Sequence, residues 1–251
     1  MEGRSLADAL GRVAAGGGAV EIASAFAGGD GPSDRPERAR RREIAGRLAS
    51  RRSHLTPLLA TFAGWARALD RAHAAGVVHG GLAPEDLLLD AEGRVGIRGF
   101  GDSPLATGRA PRSFPEDRQR WFAPEYLDRR LGHPSYLSDV HAFGLVLASA
   151  LALDLPRWEE DGAAALERST RADLDLDGLL PRGLPAALIR LLESCVSRRP
   201  ENRPRDLGLV AERLDAVRGG GSPRRPGSLL AVVLAAFALA AILFLARTCS
   251  N

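Results

Sequence analysis

Lysine is absent from this 251-residue chain, and all 34 basic residues are arginine. Chemistry that needs a lysine amine is therefore closed to it. Cysteine is scarce too: Cys195 sits among Leu191, Leu192 and Val196, and Cys249 follows the C-terminal apolar run. Two such residues make neither a disulfide framework nor a metal cluster. The first residues carry no apolar signal-peptide core, so nothing marks the main domain for export. No internal repeat is present. The net charge of +3 is too small to imply a nucleic-acid partner.

What is present is a globular composition, 45% hydrophobic and 26% charged. The clearest physical signal lies at the C-terminal end, where Leu229–Ala246 is an unbroken apolar run. At about 1.5 Å per residue, a helix of that length reaches roughly 27 Å, close to the hydrocarbon thickness of a bilayer. A soluble core helix seldom lacks any polar face, so the run is expected to be a transmembrane helix. Arg218, Arg224 and Arg225 precede it and only Arg247 follows. The positive-inside rule then predicts a single-pass protein with its main domain cytoplasmic and its C-terminus outside. The run contains no glycine, so no G-x-x-x-G dimerisation face is expected.

The expected organisation follows from composition shifts. Residues 1–55 form an irregular start with Gly-rich breaks and an arginine run from Arg35 to Arg52. That run is read first as a solvated face and second as a contact for anionic lipid. Residues 56–218 form the main domain, 219–227 a Gly/Pro linker, 228–247 the membrane helix and 248–251 a short tail.

Within the main domain, Leu58, Phe62, Trp65, Leu69 and His73 step at helical spacing and predict one apolar helix stripe. Val77–Val78, Leu87–Leu89 and Val95–Ile97 read as short strands, with Asp90–Gly93 as a turn. Ser138 to about Leu153 reads as a helix opened by a Ser or Asp cap, and Leu184–Val196 and Asp206–Val217 as two more.

Five segments occur in order: HGGLAPEDLLLD from His79, EGRVGIRGFG from Glu92, WFAPEYL, SDVHAFGLVL and SCVSRRPENRPRDL. Together they resemble the large lobe of a bacterial Ser/Thr protein kinase, whose pattern is H-R-D-L-x-x-x-N, then D-F-G, then A-P-E. The resemblance covers about residues 56–218. It implies a mainly α, kinase-like C-terminal lobe with short β-strands around the catalytic loop.

The same resemblance implies roles at particular positions. His79 and Phe100 match the catalytic-loop histidine and the D-F-G phenylalanine. The family's catalytic aspartate, which accepts the substrate hydroxyl proton, falls on Gly81. Its catalytic-loop lysine falls on Ala83 and its metal-binding asparagine on Asp86. The D-F-G aspartate, which carries Mg²⁺, falls on Gly99, followed by Phe100 and Gly101. Asp102 lies too late in the chain to replace it. Structural positions survive: Ala123, Pro124 and Glu125 match A-P-E, Arg203 its arginine partner, and Asp139 the helix-start aspartate that binds the catalytic-loop backbone. Leu88 matches a residue beneath the adenine, so Leu88 and Asp86 are vestigial nucleotide-contact candidates.

The small lobe's Gly-rich loop and V-A-I-K lysine are not found, and MEGRSLADAL is similar to a kinase hinge. The expectation is a catalytically inactive, membrane-anchored pseudokinase that binds or scaffolds a protein partner. It needs no cofactor and no metal. Two alternatives stand: a divergent Ser/Thr kinase using ATP and Mg²⁺, or part of a longer protein whose small lobe is encoded upstream.

Overall fold

The lobe is assembled around α1, a 23-residue helix over Arg52–Ala74. The structure is a computed structural model that describes residues 4–5, 52–90, 93–152, 162–176 and 180–219. Helix α1 buries Leu55, Leu59, Phe62, Ala63, Trp65, Ala66 and Leu69, a wider band than the predicted stripe. Leu58 is only half-buried, and His73 serves a polar contact instead of the core. Phe62 meets Trp65 and Phe143 edge-on, with centroids 5.2 and 5.7 Å apart. Each such fully buried ring contributes about 1.5–3 kcal/mol of transfer free energy.

The end of α1 corrects one expectation. Val77–Val78 is not a strand. Gly76 sits at φ +77°, its N–H reaching His73 O and the Val77 N–H reaching Ala72 O, both at 2.9 Å. These are the paired bonds of a Schellman cap, and they commit Val77 to ending the helix while leaving it exposed.

A three-stranded antiparallel sheet lies on α1, in the order β1 (Arg4–Ser5), β2 (Leu87–Leu89), β3 (Val95–Ile97). Ser5 pairs with Leu88, and Leu88 with Gly96. The Asp90 carboxylate accepts the Arg94 N–H at 2.8 Å across the β2–β3 turn. The sheet approaches α1 closely because Gly64 has no side chain: a Cβ there would stand 3.2 Å from Val95. The Trp65 indole donates to Leu88 O at 3.0 Å and fixes the sheet's position.

Two one-turn helices follow, α2 (Pro104–Thr107) and α3 (Glu116–Gln119), then the central helix α4 (Tyr136–Ala152). From Ser138 onward every residue of α4 is buried. It starts two residues before the predicted Ser138. The Ser135 hydroxyl accepts the Leu137 N–H, and the Ser138 hydroxyl accepts the Ser135 N–H. Helix α5 (Gly162–Ser169) packs on α3. Helices α6 (Ala186–Cys195) and α7 (Leu207–Arg218) close the far side, α7 capped by Asp206, which accepts the Leu209 N–H at 2.6 Å.

This is a mainly helical, kinase-like lobe. Among the described residues no helix is long and apolar enough to cross a membrane. The predicted span Leu229–Ala246 lies outside the described residues, as do the tail, most of residues 1–51 and all of the linker but Gly219.

Candidate functional site

Directly after the α1 cap the chain enters the loop His79–Asp86, and Asp139 from the first turn of α4 holds it. One carboxylate oxygen accepts the His79 N–H at 2.8 Å and the other the Gly80 N–H at 2.7 Å. The His73 ring meets the same carboxylate at 2.8 Å. The Tyr126 hydroxyl donates to Gly80 O at 2.5 Å, and burial pushes that phenol's pKa upward, so it stays a donor. His79 is buried, its Nε2 bonded to Arg98 O at 2.8 Å and its ring 4.8 Å from that of Phe100. Phe100 itself is largely exposed.

The positions where the resemblance places catalytic carboxylates offer none. At Gly81 a Cβ would lie 3.2 Å from the Ser103 Cβ and 3.4 Å from the Phe122 ring, so Ser103 would have to yield by a few tenths of an ångström. Gly99 adopts φ +85°, and its Cβ would lie 2.8 Å from Asp86 Oδ1. Any side chain there would be strained and would meet a carboxylate. Gly101 also has positive φ but faces open space. Asp102 is exposed beyond it. Ala83 is buried and donates its N–H to Asp86 Oδ2 at 3.0 Å. Leu88 is half-buried in β2, its carbonyl taken by Trp65.

Asp86, only 2% exposed, is not free to meet an external cation. The Arg118 guanidinium from α3 donates to its two oxygens at 2.5 and 3.3 Å. The same group reaches Gly81 O and Glu85 Oε1, each at 3.3 Å. Burial opposes the charge on Arg118, but the Asp86 hydrogen bond and the surrounding carboxylates outweigh it and hold its pKa above the ordinary value. Burial also pushes the Glu85 carboxyl upward, against a backbone hydrogen bond and Arg118. The residues present therefore do not fit Mg²⁺ with ATP phosphates. One carboxylate is replaced by glycine at a position that disfavours any side chain, and the other is spent on a guanidinium. Nothing in the spacing of the sequence pointed to Arg118, because its partners lie 32 or more residues away.

Beneath this cleft sits a second polar assembly. Ala123 and Pro124 are buried and lead into Glu125. Its carboxylate faces the Arg203 guanidinium at 2.7 and 2.8 Å, both side chains fully buried. Ser138 donates to Glu125 at 2.7 Å, and Arg203 also donates to the carbonyls of Ser197, Leu137 and Arg198. Phe114, Phe122, Tyr126 and Leu166 form a small apolar cluster beside it, joining the segment to α5. Among the described residues, no group of three or more His, Cys, Asp or Glu side chains is arranged to hold a metal ion.

A helical lobe with this loop, a Phe on its histidine and a buried Glu–Arg pair below it defines a protein-kinase-like large lobe. The protein kinase domain family matches residues 46–213, and the chain belongs to that family. It is similar to the serine/threonine-protein kinase PknA of Mycobacterium tuberculosis, at 34% identity over 164 residues, 64% of this chain and 36% of that protein. It also resembles mouse ribosomal protein S6 kinase alpha-2 (33% over 139 residues, 55% of this chain and 18% of that protein) and mouse Ephrin type-A receptor 10 (32% over 154 residues, 59% and 14%). The chain spans about a third or less of the length of these relatives.

Proposed function

We propose that this chain is a membrane-tied pseudokinase: a kinase-fold module that binds or scaffolds a protein partner and does not transfer phosphate. The observation that carries the reading is at Gly81 and Gly99. Both carboxylate positions of the family pattern are glycine; at Gly99, at φ +85°, a side chain would be strained and meet Asp86 Oδ1 at 2.8 Å, and at Gly81 it would press on Ser103 at 3.2 Å. General-base catalysis typically contributes about 10²–10⁴-fold, and Mg²⁺ handling of the phosphates is a further requirement of phosphoryl transfer. Meanwhile Asp139 and Tyr126 still hold the 79–81 loop, and the Glu125–Arg203 pair still joins the segment below it to the far helices. A lobe that retains its supports and lacks its reacting groups suits recognition.

The membrane tie rests on Leu229–Ala246 and its flanking arginines. Fractionation of cells expressing the full chain and a form ending at Gly227 tests it. The full chain is expected with membranes and the shortened one in the soluble fraction.

A second reading has its own support. PknA and ribosomal protein S6 kinase alpha-2 carry the name kinase, and Asp86 retains a carboxylate, so ATP-dependent phosphotransfer by a divergent site is the competitor. One experiment separates the two. The full chain in detergent is melted with and without millimolar ATP and Mg²⁺, and assayed for phosphate transfer to itself and to basic protein. The proposed reading expects no melting shift and no transfer. Transfer that disappears in Asp86→Ala would establish the competitor.

A further inference from the structure

The guanidinium of Arg118 meets Asp86 Oδ1 and Oδ2, Glu85 Oε1 and Gly81 O through its three nitrogens, at 2.5 to 3.3 Å. Carboxylate and carbonyl oxygens are also the ligand types that hard cations take. Asp102 and Asp117 add negative charge nearby, the first acting on Arg118 and the second on Glu85. Arg118 is mostly buried, with 16% of its side chain exposed, and Asp86 is almost completely buried. An uncompensated carboxylate at that depth costs several kcal/mol, so Asp86 either pairs with a cation or takes up a proton.

We propose that Arg118 is the resident cation of this cleft: its guanidinium takes the place on Asp86 and Glu85 that a divalent ion would need, and so sets the site to reject one. The exclusion is steric as well as electrostatic. A guanidinium seated on both Asp86 oxygens and on Glu85 leaves no room there for a metal and its waters. The contact has a second effect, because Arg118 belongs to α3 and its partners to the 81–86 loop. The same ion pair fastens the segment from Ser103 to Gln119 across the cleft, with Ser103 and Leu105 seated against Gly80. The surface offered to a partner is thereby fixed in one shape.

This inference rests on the reading of the cleft as one that does not work through Mg²⁺ and ATP, and deepens it. The two fail separately. Metal binding without nucleotide addresses Arg118 alone, whereas ATP binding or transfer addresses the proposed function.

The test is titration of the full chain in detergent with Mn²⁺, read by water proton relaxation, in the absence of nucleotide. Wild type and Arg118→Lys, which keeps a cation on the carboxylates, are expected to show no saturable site up to millimolar metal. Arg118→Ala is expected to acquire one site, at least about tenfold tighter than any wild-type binding. The double variant Arg118→Ala with Asp86→Asn is expected to lose it again. If Arg118→Ala does not fold, Arg118→Gln, which keeps a donor and drops the charge, replaces it. A saturable Mn²⁺ site in the wild type that Asp86→Asn removes overturns the proposal without any Arg118 variant. So does a folded, uncharged Arg118 variant that gains no site.

Discussion

Glu125 and Arg203 are 78 residues apart in sequence and meet as a two-pronged ion pair, at 2.7 and 2.8 Å, with neither side chain exposed. The remaining guanidinium donors end on the carbonyls of Ser197, Leu137 and Arg198, so the charge is fully solvated by the protein. This pair ties the segment after α3 to the loop between α6 and α7.

Removing one partner strands the other. Arg203→Met or Glu125→Gln is expected to cost about 3–5 kcal/mol, measured by urea denaturation. The double variant Glu125→Leu with Arg203→Met is expected to cost less than the sum of the singles. A loss below about 1 kcal/mol in the single variants would mean the pair behaves like a solvated surface contact.

Restoring the family's carboxylate at Gly99 is expected to harm the protein without reviving it. The residue sits at φ +85°, and a new Cβ would lie 2.8 Å from Asp86 Oδ1, so an aspartate adds strain and like charge together. Gly99→Asp should cost about 1–3 kcal/mol and more than Gly101→Asp, which has a similar φ of +90° but open space around it. Neither Gly99→Asp nor its combination with Gly81→Asp should yield measurable phosphate transfer. Equal melting temperatures for the Gly99 and Gly101 variants would contradict the crowding at Asp86.

The pattern of what was legible beforehand has a physical reason. His79, Asp139, Glu125 and Arg203 could be located because each belongs to a motif of fixed residue types and spacing. Helix α7 could be bounded because its cap, Asp206, acts on a residue three positions away. Arg118 could not be found, since its function exists only once the 81–86 loop lies against α3. Tyr126 was missed, and His73 was placed on the apolar stripe, for the same reason: a phenol on Gly80 O and an imidazole on Asp139 leave no periodic trace. The Val77–Val78 strand was misread because β-branched residues favour strands, while the Schellman cap at Gly76 uses the backbone of Val77 and ignores its side chain. Ser135 was missed as the cap of α4 because two serines flank the true start.

Helix α4 crosses α6 at a point that only glycine allows. A Cβ on Gly144 would lie 2.6 Å from the Cys195 Cβ and 3.0 Å from Val196 Cγ1. Gly144→Ala is therefore expected to force the two helices apart at a cost of about 1–3 kcal/mol, despite alanine's better helix propensity. Gly219→Ala, at φ −73° with only ordinary contact at 3.4 Å, should change stability by no more than about 0.5 kcal/mol. Adding Cys195→Gly to Gly144→Ala should recover part of the loss, because it removes the atom that collides. Thermal melts of the four proteins decide the matter.

The same Cys195 carries a prediction about reactivity and pH. Burial pushes its thiol from an ordinary value of 9.0 up to about 12, against the weaker pull of Arg213 and Arg203. The thiolate is the reactive form, so at pH 8 the folded protein should leave Cys195 unalkylated, while urea-unfolded protein should label it fully. Peptide mapping after iodoacetamide reads this directly. The sign of the linked stability change follows from the same shift. Between pH 9 and 12 the unfolded chain releases a proton that the folded chain keeps, so stability from this group is intact below pH 9 and falls as pH rises through that window. The slope for one such group is at most about 1.4 kcal/mol per pH unit. Tyr126, also shifted upward by burial, titrates in the alkaline range as well, so the measured quantity is the difference between wild type and Cys195→Ala. That difference should grow from pH 9 upward in favour of the alanine variant, and a flat difference would place Cys195 in contact with solvent.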